Sequence, residues 1–251
     1  MDILKPLSTD RDLPQLPKIP PGGNLTIGVL ALQGAFREHL NHLRRLQTLK
    51  PLSAIAVRTI SDLHRCHALI IPGGESTSMA LIASRQRDSS DFSLMDWIKS
   101  FCKERAVWGT CAGMILLSDE LVSQGTKSGG QDFLGGLPIR TTRNQWGRQT
   151  ESFEYSIEIP CLKNPSQPFP AIFIRAPVIH TILDKQLKTS VVASLPPISL
   201  PSTMDLGPDA HVVAIRSNNL FATSFHPELS SDNRLHQFWL DEFVLKPYQS
   251  A

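Results

Sequence analysis

Two short segments hold the residues whose types and spacing could do chemistry: Gly109-Thr110-Cys111-Ala112-Gly113 and His226-Pro227-Glu228. A G-x-nucleophile-x-G turn between a strand and a helix lifts its central side chain out of the fold. It also leaves the next backbone N–H free to bind an oxyanion. A thiol needs an adjacent base to be strongly nucleophilic near neutral pH, and that base needs a group to orient it. At the end of a strand, side chains two residues apart emerge on the same side. Glu228 can therefore hold one ring nitrogen of His226 while the other faces a thiol. Cys111, His226 and Glu228 fill the three roles, and a helix opening just after Cys111 would favour the thiolate through its dipole. The other histidines, at 39, 42, 64, 67, 180, 211 and 236, show no such partner pattern, and His39 and His42 are expected to be solvated on a helix.

A third segment, Pro72-Gly73-Gly74-Glu75-Ser76, closes another apolar run. The N–H of Gly74 pairs naturally with that of Ala112 as a two-donor oxyanion site. No G-x-x-x-x-G-K-[ST] lysine follows, so a nucleotide cradle is not expected.

These segments need strands and helices to bring them together. Residues 26–32 form a continuous apolar run, as in a parallel strand buried on both faces. Phe36, Leu40, Leu43 and Leu46 then share one helical face. Residues 53–58, 68–71 and 106–108 read as further strands. Helices are predicted near 75–77, over 94–105 and over 112–121, and strand–helix alternation implies a parallel sheet covered on both faces. Residues 153–159 alternate strictly and 171–174 are apolar, as strands are. Residues 212–216 and 220–225 flank Ser217-Asn218-Asn219 as a hairpin whose second arm runs into His226. A last amphipathic helix covers 234–245. The expectation is a three-layer, flavodoxin-like α/β fold with a mixed, mostly parallel sheet. One domain over residues 25–247 would follow an irregular proline-rich extension over 1–24, with surface loops near 84–93 and 194–209. The site belongs at the carboxyl ends of the strands.

The 251 residues are 41% hydrophobic, enough for a sizeable core. A net charge of +2 without a dense basic run gives no footprint for nucleic acid. No apolar stretch is long enough to span a membrane. Residues 1–25 lack the apolar core of a secretory signal, so an intracellular, cytoplasmic setting is expected. The four cysteines show no C-x-x-C pairing and no metal-ligand spacing with histidine, so no metal is expected. Cys66, Cys102 and Cys161 read as small apolar residues in or near the core. Cys111 stands apart because the glycines around it have no evident packing purpose.

Cys111 in Gly-Thr-Cys-Ala-Gly with His226-Pro-Glu228 resembles the triad of class I glutamine amidotransferases. The likeness extends through Ile27-Gly28-Val29-Leu30-Ala31-Leu32-Gln33-Gly34-Ala35, Pro72-Gly73-Gly74-Glu75-Ser76-Thr77, Phe133-Leu134-Gly135-Gly136-Leu137, Arg143-Asn144-Gln145-Trp146-Gly147, Phe173-Ile174-Arg175-Ala176-Pro177 and Ser224-Phe225-His226-Pro227-Glu228-Leu229. Over roughly 25–245 the chain resembles the family of glutaminase subunits of pyridoxal 5′-phosphate synthase. The resemblance implies that Gly73, Gly74, Glu75, Arg143, Ile174 and Arg175 bind L-glutamine, and that Gln33 couples the site to a synthase. It further implies a (β/α)₈-barrel partner in a large hetero-oligomer, ammonia as the product handed on, and no bound cofactor. Trp146 and the extra length near 84–93 and 194–209 depart from compact members. Alternatives are a glutaminase for another synthase, a γ-glutamyl peptidase, or a non-catalytic regulatory module.

Overall fold

Strand residues that are apolar on both faces can be satisfied only in the middle of a layered fold, and Ala68 to Ile71 are all fully buried. The computed structural model describes residues 2–4, 12–18, 24–48, 51–123, 132–143, 152–184, 188–196 and 206–246. In chain order come β1 (Asp2–Leu4), β2 (Leu25–Leu30), α1 (Phe36–Arg44), β3 (Leu52–Val57), α2 (Ile60–His64) and β4 (Ala68–Ile71). Then follow α3 (Ser76–Arg85), α4 (Leu94–Glu104), β5 (Ala106–Thr110), α5 (Ala112–Leu117), β6 (Ser118–Ser123) and β7 (Leu137–Thr142). The rest is β8 (Ser152–Ile157), β9 (Phe169–Ile174), β10 (Val178–Ile182), β11 (Thr189–Ser194), β12 (Val212–Ser217) and β13 (Leu220–Thr223). A 3₁₀ turn (Pro227–Leu229) leads to α6 (Arg234–Trp239), which widens into a π-helical segment (Leu240–Leu245).

Among the described residues the main sheet has seven strands in the order β11-β12-β13-β5-β4-β2-β3. Pairing is parallel from β13 through β5, β4 and β2 to β3, and antiparallel at β12 and β11. Taken alone, the five parallel strands run 2-1-3-4-5 in space, the flavodoxin-like order with its site at the strands' carboxyl ends. Period-two alternation splits the core. Ala68, Ile70, Ala106 and Trp108 face α1 and α6, whereas Leu69, Ile71 and Val107 face α3, α4 and α5. The mixed, three-layer α/β reading therefore holds. No helix among the described residues is long and apolar enough to cross a membrane.

Several local expectations fail for identifiable reasons. The stretch before residue 25 is not irregular throughout: β1 pairs antiparallel with β6. Two of its carbonyls are also used, Pro14 accepting from Ser100 Oγ and Pro17 from Arg105. The helix predicted over 112–121 stops at Leu117, because Ser118 turns extended, caps the Ile115 carbonyl through Oγ at 2.7 Å, and starts β6. The loop near 84–93 begins where α3 ends at Arg85 and is a closed turn in which Asp88 accepts from the N–H groups of Ser90 and Phe92. Cys66 and Cys102 are buried, but Cys161 is exposed. Trp146 and most of the 194–209 loop lie outside the described residues.

The glycines around Cys111 do have a packing purpose. A Cβ on Gly109 would stand 2.5 Å from the Gly113 carbonyl carbon, and one on Gly113 would stand 2.1 Å from the Ile71 carbonyl oxygen. Such contacts force a backbone shift, because no flexible side chain can yield. Gly113→Ala is expected to lower stability by about 1–3 kcal/mol or more, and urea denaturation of the two proteins measures it.

Candidate active site

Cys111 sits at the end of β5 with φ 49° and ψ −104°, a backbone conformation that side-chain-bearing residues seldom adopt. It is held there by its N–H donating to the Thr223 carbonyl at 2.8 Å and by its carbonyl accepting from Ile115 N–H at 3.3 Å. The next residue, Ala112, opens α5, so its N–H has no intrahelical acceptor. On the neighbouring strand, Thr223 lies beside Thr110 in parallel register. Three residues beyond Thr223, the chain delivers His226 to the same end of the sheet.

The His226 ring stands beside Cys111 at the floor of one cleft, next to Gly73, and its Nδ1 lies 2.7 Å from Glu228 Oε1. That geometry makes Nδ1–H the donor to the carboxylate and turns Nε2 to the thiol. Both His226 and Glu228 are buried. Burial alone would lower the His226 pKa, but Cys111 and Glu228 outweigh it and raise it to about 10. Burial alone would raise that of Glu228, yet neighbouring His39 and His226 hold it below the usual carboxylate range. Gly73 leans on this pair: a Cβ there would stand 2.3 Å from His226 Cε1 and 3.4 Å from Cys111 Cβ.

These groups open onto a cleft of about 570 Å³, within the roughly 300–1,000 Å³ typical of small-molecule sites. Gln33, Gly73, Gly74, Glu75, Cys111, Ala112, Arg143, Ile174, Arg175 and His226 all line it, and Glu228 lies behind His226. Arg143 is half-buried, and its Nε and Nη2 have no partner among the described residues. Burial pulls its pKa below the arginine range, opposed by the charge of Glu75, so the guanidinium is a cation in want of an anion. Arg175 is exposed at φ 46°, following the last residue of β9. Glu75 is more committed than its place in the motif suggests. Its carboxylate caps α3, accepting from Thr77 N–H at 3.0 Å and from Ser78 N–H and Oγ at 2.7 Å each. Against some desolvation, those bonds hold its pKa at about 2. Gln33 Nε2 donates to the Glu75 carbonyl at 2.7 Å.

The residue model of the SNO glutamine amidotransferase family matches residues 29–245. The chain belongs to that family. It is 44% identical over 230 residues to the pyridoxal 5′-phosphate synthase subunit SNO1 of Saccharomyces cerevisiae, covering 87% of this chain and 92% of that one. It is 37% identical over 236 residues to the probable pyridoxal 5′-phosphate synthase subunit pdx2 of Dictyostelium discoideum, covering 86% and 92%. A crystal structure described as a glutamine amidotransferase superimposes with a TM-score of 0.67 at 37% identity, over 86% of this chain and 97% of that one.

One group escaped the sequence reading. His39 and His42 are not solvated but buried, and with His236 they form an imidazole cluster behind Glu228. His42 and His236 stack at 4.4 Å, His42 Nε2–H donates to the Glu228 carbonyl at 3.1 Å, and His42 Nδ1 meets the Asn233 amide. His39 follows Phe36 by three residues and precedes Leu43 by four, a helical spacing that placed it on the apolar stripe. Among the described residues no group of three or more His, Cys, Asp or Glu converges as a metal site.

Burial lowers the pKa of His39 from 6.5 to about 4, Glu228 partly opposing, and that of His236 well below its usual value. The unfolded chain takes up protons at both near pH 6.5, while the folded chain resists. Stability therefore falls as pH drops through that window, by roughly 3 kcal/mol for His39 alone. Glu228, depressed in the folded state, adds to the loss at the acid end. Urea midpoints at pH 7 and 4.5 should show the decline.

Proposed function

We infer that this chain is the glutaminase subunit of a pyridoxal 5′-phosphate synthase, hydrolysing L-glutamine to L-glutamate and ammonia. One observation carries the reading: Arg143, whose Nε and Nη2 have no partner among the described residues, lines the same cleft as Cys111 and His226. A thiol–imidazole–carboxylate array attacks acyl carbons. A guanidinium lining that cleft takes a carboxylate by a paired, charge-assisted bond. Glutamine carries both functions on one short skeleton.

In this mechanism the Cys111 proton already rests on His226 Nε2, whose pKa of about 10 keeps it there at neutral pH, and the thiolate sulfur attacks the side-chain amide carbon. Glu228 holds that imidazolium by its Nδ1–H. The N–H groups of Gly74 and Ala112 receive the tetrahedral oxyanion. The carbon–nitrogen bond breaks, and ammonia leaves with a proton from His226. Water, deprotonated by the same imidazole, then cleaves the thioester to release glutamate and regenerate the thiolate. Arg143 binds the substrate α-carboxylate, while Gly73, Glu75, Ile174 and Arg175 shape the rest of the cleft. No metal or bound cofactor takes part.

The partner in this reading is a (β/α)₈-barrel synthase subunit in a large hetero-oligomer, to which ammonia passes. The relatives at 44% and 37% identity are themselves synthase subunits by name. Gln33, bonded to the loop that carries Gly74, is suited to transmit docking to the oxyanion site. We place the protein in the cytoplasm, which suits its four free cysteines, and read residues 25–247 as one amidotransferase domain.

Purified chain should release ammonia from glutamine slowly, and addition of the synthase subunit should accelerate it. Fast turnover without a partner would count against the coupling. Cys111→Ala should abolish turnover and labelling by a glutamine-analogue electrophile. Arg143→Gln should raise KM about 10- to 100-fold with a smaller change in kcat, read from ammonia-release kinetics.

A further inference from the structure

Behind the triad, Glu228 has a second oxygen that the mechanism above does not use. Oε2 is fully buried and has no hydrogen-bond partner of ordinary geometry among the described residues. His39 Nε2 stands 3.4 Å from it and 3.2 Å from Thr110 Oγ1, and His39 Nδ1 stands 2.9 Å from His236 Nε2. Beyond that contact, His236 Nδ1 is buried without a partner among the described residues.

Resting on the glutaminase reading, we propose that His39 is a positioning residue for the reaction. Its Nε2–H is shared between Thr110 Oγ1 and Glu228 Oε2 and holds the carboxylate ionised and aimed at His226. The chain of contacts fixes the tautomers. A neutral imidazole has one N–H. If His39 carried it on Nδ1, an Nε2 lone pair would face a carboxylate oxygen, and His236 would have to accept at Nε2. Its own proton would then sit on Nδ1 as a buried, unsatisfied donor. With the proton on Nε2, His39 Nδ1 accepts from His236 Nε2–H and the leftover atom is only an unused acceptor. Every N–H then points toward Glu228: His236 to His39, His39 to Oε2, and His226 to Oε1.

The charged and titratable groups around this bond allow the assignment. His39 is faced by Glu228 and His226 from the 3₁₀ turn region, by His236 from α6, and by His42 and Glu38 on its own helix. Burial keeps His39 neutral near pH 7, so it acts on Glu228 as an N–H dipole and not as a cation. It does not line the cleft, so its removal should leave glutamine binding in place. Bonds of this kind are often long in an empty site and tighten in the reacting state.

The experiment uses the chain with its synthase subunit. His39→Leu removes the donor at similar volume, and kcat should fall about 10- to 100-fold with KM nearly unchanged. The acid limb of its pH–rate profile should move to higher pH, because Glu228 is then protonated more readily. His39→Gln, whose amide N–H reaches toward the ring Nε2 position, should recover most of both effects. Independently, nitrogen-15 NMR of the wild-type chain should show His39 as the Nε2–H tautomer. A wild-type kcat and acid limb in His39→Leu would overturn the proposal, as would a His39→Gln no better than leucine, or an Nδ1–H tautomer. If the leucine variant does not fold, the glutamine variant and the tautomer decide. Wild-type chain that releases no ammonia with the synthase would sink the glutaminase reading, while the tautomer would still decide the bond.

Discussion

The parallel register that sets Thr223 beside Thr110 is the constraint on which the site depends. It brings the ends of β5 and β13 level, so that the residue after one and the third after the other emerge at the same edge. The two segments of the proposed triad, more than a hundred residues apart in sequence, meet because two strands pair. The same rung supplies the Thr223 carbonyl that holds the Cys111 N–H. A backbone at φ 49° costs on the order of 1–3 kcal/mol and persists only where its surroundings over-determine it. Here β4 and β13 flank β5, and Gly113 is seated on the Ile71 carbonyl. The strain belongs to the sheet as much as to the turn.

A second constraint is electrostatic. A carboxylate withdrawn from water gains protons readily unless donors replace the lost hydration. Glu228 is buried beneath α1, where His39 and His42 reach it. The fold answers with imidazoles instead of an arginine, which suits the chemistry. A full positive charge behind Glu228 would weaken its pull on the imidazolium that forms at His226, whereas neutral N–H dipoles keep the carboxylate charged without cancelling it.

The sequence disclosed those parts whose causes are local. Apolar runs marked β2, β4, β5 and β13, and the glycine-flanked turn and His-Pro-Glu pair marked the candidate chemistry. Strands β1, β6, β7, β10 and β11 were not legible. Their pairing joins residues such as Ile3 with Val122 and Val178 with Thr142, which no window along the chain relates. The premature end of α5 has the same origin, since Ser118 leaves the helix to bond Thr141 Oγ1 at 3.0 Å and to enter β6. His39 was misjudged because histidine was weighed by polarity, although its helical spacing put it among Phe36, Leu40 and Leu43. The purpose of Gly109 and Gly113 was hidden too, because it lies in contacts with Gly113 itself and with a different strand.

The two halves of the cleft are built differently, yet they share one element. Cys111 and Ala112 stand at the carboxyl edge of the main sheet, whereas Arg143, Ile174 and Arg175 follow or end strands β7 and β9 of two smaller sheets. The link is β9: the Ile172 carbonyl accepts the His226 N–H at 2.7 Å, and two residues later the same strand ends at Ile174. The same strand thus holds the backbone of the histidine and one wall of the cleft. Stacking of Phe153 on Phe173 and packing of Phe173 on Phe225 stiffen that strand from both sides. In the proposed reading, recognition by this side of the cleft and proton transfer at His226 are joined through β9.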